Sequence, residues 1–77
     1  KNGKVVFGTT VYLNSIDHQT LSKFQIVGED EADIKTGKIS FNSPIARGII
    51  GKMEGDHVKV NTLEGIKAFE IKKVEYL

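Results

Sequence analysis

Apolar and polar residues alternate with a period of two in run after run along this chain, and helical spacing replaces that pattern at one place, just after Ser43-Pro44. A period of two puts one set of side chains on a buried face and the other in water, as half-buried strands require. Val5, Phe7, Val11 and Leu13 occupy odd positions with Thr9, while Thr10 and Tyr12 lie opposite. After the polar stretch Asn14 to His18, a second run from Leu21 to Val27 carries Phe24 and Ile26 on one face and stops at Gly28. The two runs predict an antiparallel hairpin with a longish loop. Lys38-Ile39-Ser40-Phe41 reads as a short third strand, Gly55-Asp56 opens a fourth containing Val58 and Val60, and Leu63-Glu64-Gly65 turns into a long last strand, Ile66 to Tyr76. There the apolar parity changes from odd (Phe69, Ile71) to even (Val74, Tyr76), which predicts a bulge near Lys72-Lys73.

Ser43 can cap a helix by accepting an orphan amide, and Pro44 suits the first helical position. Ile45 with Ile49 and Ala46 with Ile50 then form two i, i+4 pairs, so Ile45, Ile49 and Ile50 are expected to face the sheet. Gly48 weakens such a helix by about 1 kcal/mol relative to Ala, and Gly51 closes it. The predicted class is therefore α+β, an antiparallel sheet wrapped on one short α-helix.

At 77 residues a single core barely offsets chain entropy, so one globular domain is expected over residues 5–77. Residues 1–4, Lys1-Asn2-Gly3-Lys4, read as the remnant of a linker, which leads to the expectation of a partner domain upstream. With no cysteine, nothing demands an oxidising compartment, and a cytoplasmic location fits. The apolar stretches are too short to span a membrane, and no membrane partner is expected. Eleven basic against ten acidic side chains leave +1, too little general field for nucleic acid to be the main partner, and direct sequence-specific binding to it is not expected.

No constellation predicts catalysis. His18 and His57 have no Ser, Cys or second His at motif spacing and read as surface histidines. Glu29, Asp30, Glu31 and Asp33 lack the alternating spacing and glycine of a calcium loop, so they read as a solvated acidic loop or one that meets a basic partner. Gly48-Ile49-Ile50-Gly51 ends a helix instead of opening one and lacks the Lys-Ser or Lys-Thr of a phosphate loop. The six aromatics fall in strand patterns and are expected in the core, because basic residues are not interleaved with them. No catalytic residue, cofactor or metal is assigned.

Three segments, Ile26 to Asp33, the run Ile39-Ser40-Phe41-Asn42-Ser43-Pro44-Ile45-Ala46-Arg47-Gly48-Ile49-Ile50-Gly51-Lys52, and the ending Val74-Glu75-Tyr76-Leu77, carry a family resemblance. In order and spacing they resemble the carboxy-terminal domain of bacterial transcript-cleavage elongation factors of the GreA type, over essentially the whole chain. The resemblance implies an FKBP-like fold, that of FK506-binding proteins. It also implies a partner, bacterial RNA polymerase, gripped at the rim of its secondary channel. In that family an amino-terminal coiled coil enters the channel, and its acidic tip helps hold a catalytic Mg²⁺ so that the polymerase cleaves backtracked RNA. The acids at 29–33 are not those tip acids and do not inherit their role. Thr62-Leu63 stands where the family often has Thr-Pro.

The expected docking corner combines Glu29, Asp30 and Glu31 with Asn42, Ser43, Pro44 and Ile45, a charged loop beside a rigid apolar knob. Two other readings stay open at this point. One is a peptidyl-prolyl isomerase on the same fold, which needs an aromatic-lined pocket. The other is a related polymerase-binding factor that antagonises cleavage.

Overall fold

The computed structural model describes residues 3–76. Strands β1 (Thr10–Ser15) and β2 (Leu21–Val27) pair antiparallel as the hairpin expected from their alternation. Two 3-10 turns, Glu29–Glu31 and Ile34–Thr36, lead to β3 (Lys38–Ser40), then helix α1 (Pro44–Ile49), β4 (His57–Thr62) and β5 (Gly65–Glu75). The five strands form one sheet in the order β3-β2-β1-β5-β4. The α+β class holds, with a correction to the wholly antiparallel sheet: β3 runs parallel to β2, pairing Ile39 with Ile26. The two 3-10 turns bring the chain back along the edge of β2, and Asp33 exchanges hydrogen bonds with Lys38 (2.8 and 2.9 Å) to set that register.

The bulge predicted from the parity change lies where expected. β1 pairs Tyr12 with Lys73 but Leu13 with Ile71, so Lys72 is the extra residue that keeps both Ile71 and Val74 on the inner face. Glu54 accepts a hydrogen bond from the Val74 backbone N–H at 2.7 Å, satisfying a donor beyond the start of β4.

The core lies between the concave face of the sheet and α1. Val11, Leu13, Ile26, Ile71 and Ile49 are wholly buried there, each contributing about 1.5–3 kcal/mol of apolar burial. Ile45 packs on the core from its edge. Ile50 does not join the stripe: it is 39% exposed, because the helix has already ended and Ile50 has extended backbone (φ −60°, ψ 130°). Gly48 has a packing reason. A Cβ there would lie 2.8 Å from Cγ2 of buried Val60, so the glycine lets α1 settle against β4.

One further expectation changes at the amino-terminal end. Phe7 is 60% exposed, because Gly8 takes a left-handed conformation (φ 89°) that breaks the alternation before β1 begins. At the same end the Gly3 carbonyl accepts from Glu54 N–H at 2.9 Å, and Lys4 bridges to Met53. Lys1, Asn2 and Leu77 lie outside the described residues.

Candidate functional site

Gly28 ends β2, and the chain turns sharply through Glu29–Glu31. The Glu31 carboxylate accepts from the Gly28 backbone N–H (3.4 Å), and Asp33 accepts from Lys35 N–H (3.1 Å), so two of the four acids brace their own loop. All four are exposed and none forms an ion pair with a described residue. They do not converge as a cation site. Among the described residues no three His, Cys, Asp or Glu side chains are grouped to hold a metal.

The parallel pairing of β3 delivers the next segment to the same place. Phe41 N–H donates to Val27 O at 2.9 Å, fixing the exit of β3 beside the end of β2. Asn42 then donates from Nδ2 to Glu29 Oε2 at 2.7 Å, joining the acidic loop to the helix entry. Ser43 caps α1, its hydroxyl accepting from Ala46 N–H at 3.3 Å with Pro44 in the first turn. Of the seven residues singled out from sequence, Glu29 and Asn42 are bonded, Glu31 braces its own loop, Asp30 is exposed beside them, Ser43 is engaged as a cap, and Pro44 and Ile45 turn to a neighbouring groove.

That groove, about 680 Å³, is mostly apolar. Ile39 and Phe69 make its floor, and Pro44, Ile45, Ile34 and Leu63 its walls. Leu63, at the tip of the β4–β5 hairpin, is fully exposed and Ile34 is 75% exposed. At one rim Lys67 donates to Glu64 at 2.6 Å, and this hydrogen bond and the nearby ammonium charge hold the Glu64 carboxyl below its ordinary range. Phe69 is the one aromatic among the lining residues and is 8% exposed, so the groove lacks the aromatic walls that an isomerase pocket needs.

Alternation alone did not reveal Ile34 and Leu63, which sit in turns where period two carries no information. Phe41 was also misplaced. It is 40% exposed and packs edge-to-face on Phe7 (5.9 Å, 72°), so an aromatic pair in water adjoins Asn42 where the strand pattern predicted core. His18 and His57 are exposed as expected, His57 lying 3.9 Å from Glu70.

Residues 1–76 match the family model described as "Transcription elongation factor, GreA/GreB, C-term". The chain belongs to this GreA/GreB family. Its similarity to curated members is high: it is 63% identical over 75 residues to transcription elongation factor GreA of Vibrio vulnificus, covering 97% of this chain and 48% of that protein. GreA of Vibrio cholerae is 58% identical over 76 residues, covering 99% of this chain and 48% of that one. The chain thus spans about half the length of the curated GreA relatives it matches. Among solved structures, the GreA factor homolog Gfh1 of Thermus thermophilus superposes with a TM-score of 0.80 at 26% identity, over 95% of this chain and 49% of that one. A GreA/GreB factor of Nitrosomonas europaea gives 0.80 at 21% identity over 99% of this chain and 63% of its own, a likeness of fold.

Proposed function

We propose that this domain docks a transcription elongation factor on bacterial RNA polymerase, at the rim of the secondary channel. The corner Glu29-Asp30-Glu31 with Asn42-Ser43-Pro44-Ile45 is the contact. The observation that carries the reading is the Glu29–Asn42 hydrogen bond. It locks a loop of unpaired carboxylates to an exposed apolar edge, giving one rigid surface with a charged half and a desolvatable half. Rigid apolar knobs lose little entropy on burial, and exposed charge speeds encounter with a basic partner. In this reading the parent is a cytoplasmic factor that, with an amino-terminal coiled coil, stimulates cleavage of backtracked RNA, and membership of the GreA/GreB elongation-factor family supports it. The domain itself anchors and does not catalyse.

A competition assay tests this. Excess isolated chain added to backtracked polymerase complexes reduces cleavage stimulated by full-length GreA and stimulates none alone. Unchanged GreA activity at saturating chain would contradict the docking reading, and accelerated cleavage by the chain alone would contradict the division of labour.

A further inference from the structure

The outer face of the sheet, turned away from α1, carries charge that the net total conceals. Tyr12 stands at its centre, paired with Lys23 across β2 and Lys73 across β5. Both ammonium groups lie over its ring, 6.0 and 5.9 Å from the centroid. With neighbouring strands about 4.8 Å apart, the two lysines rise from backbone positions about 10 Å apart in a straight row. Lys38 stands on the same face opposite Gln25, and Lys72 joins it at the bulge. At the edge of β2 beside the second 3-10 turn, Lys23 and Lys35 line a shallow concavity of about 780 Å³ with Thr10, Gln25 and Thr36 and the apolar Phe24 and Ile34, and no carboxylate lies in its wall.

Against these five lysines the face holds two acids, both already engaged. Glu70 lies 3.6 Å from Lys72, and Glu75 lies 3.1 Å from Lys73 while accepting from the Tyr12 hydroxyl at 3.2 Å. Lys23, Lys35 and Lys38 have no carboxylate within 4.0 Å among the described residues. Glu29, Asp30 and Glu31, which form no ion pair with a described residue, lie instead at the corner beside the helix entry, although the total charge is +1.

We infer that this outer face binds the phosphate backbone of a nucleic-acid strand without reading its sequence. Lys, Thr, Gln and Tyr are the side chains that contact phosphate in such complexes, and the face offers all four. A protein partner fits less well, because the centre of a protein interface is depleted of charge, whereas here two lysines flank the central tyrosine. The inference uses different side chains from polymerase docking, although Ile34 lines both the concavity and the docking groove, and the isolated chain tests it.

Fluorescence anisotropy with a labelled single-stranded DNA of about 16 nucleotides gives the readout. The expected dissociation constant is in the range of about 10⁻⁴–10⁻⁶ M. If three phosphates are engaged, a roughly fourfold rise in KCl weakens binding about twentyfold. The double variant Lys23→Ala, Lys35→Ala frees no carboxylate, keeps the fold, and weakens binding about tenfold. Arg47→Ala, an exposed cation on α1, leaves binding unchanged. Amide shift changes on adding DNA fall on β1, β2 and β5. Absence of saturable binding, an equal loss in Arg47→Ala, or shift changes confined to α1 would overturn the inference. Displacement of the DNA by poly-glutamate at equal charge would also overturn it, assigning the face to an acidic protein.

Discussion

At Gly48 two physical effects oppose each other, and distance decides between them. Helix propensity favours Ala over Gly by about 1 kcal/mol in an exposed helix interior. A Cβ at this position, however, would stand 2.8 Å from Cγ2 of Val60, a stiff β-branched side chain that is 2% exposed and has nowhere to go. Gly48→Ala is therefore expected to destabilise by about 1–3 kcal/mol, the cost of overpacking, as measured by urea unfolding. A gain in stability would mean that α1 can lift from β4. Only the propensity half of this is visible in the sequence, because the approach of Val60 is a tertiary fact. Phe7 shows the same limit: its odd position fitted the strand, but the left-handed turn at Gly8 put it in water against Phe41.

Elements whose signals are local were legible, and those set by distant partners were not. The helix start followed from Ser43-Pro44, and the bulge from a parity change inside β5. The parallel run of β3 could not be read, since three residues of alternation carry no direction. The isoleucines after Pro44 separate these cases. Ile49 is wholly buried and Ile50 exposed, although both belong to i, i+4 pairs, because the helix ends between them. Ile49→Ala is expected to cost about 2–5 kcal/mol, enough to unfold much of a domain this small. Ile50→Ala is expected to stay within about 0.5 kcal/mol. Thermal melts of both variants check this, and equal losses would place Ile50 in the core. The seven residues proposed as the docking corner were chosen by composition and turn chemistry. The Glu29–Asn42 bond that makes them one surface depends on the unforeseen parallel pairing, as does the groove wall at Ile34.

On the scale of the whole molecule, two charge-dependent properties follow. Hydrogen bonding from Lys73, reinforced by its charge and by Tyr12, holds the Glu75 carboxyl below its ordinary range, and Glu75 in turn raises the Lys73 ammonium. A lowered carboxyl contributes stability above its unfolded pKa and loses it as pH falls through the folded value. A raised ammonium contributes below its unfolded pKa and loses it as pH rises through the folded value. The melting temperature is therefore expected to be flat across neutral pH, to fall as pH drops below the ordinary carboxylate range, and to decline again as pH rises past the ordinary lysine range. Because these groups are exposed, both declines are shallow and shrink with added salt. Lys73→Met should flatten part of each, and an unaltered profile would mean that the pair is silent.

The second is the proposed docking, whose two halves are expected to separate kinetically. Exposed charges are screened beyond about 8 Å at physiological ionic strength, so the carboxylates act on encounter, whereas buried apolar contact acts on residence. Surface plasmon resonance of bacterial RNA polymerase over the immobilised chain is the most direct measurement of the central claim. Asp30→Lys with Glu31→Lys is expected to slow association severalfold, an effect that fades as salt rises. Pro44→Ala is expected to speed dissociation about fivefold or more, nearly independently of salt, with both variants melting like the parent. Unchanged kinetics in both variants would contradict the account.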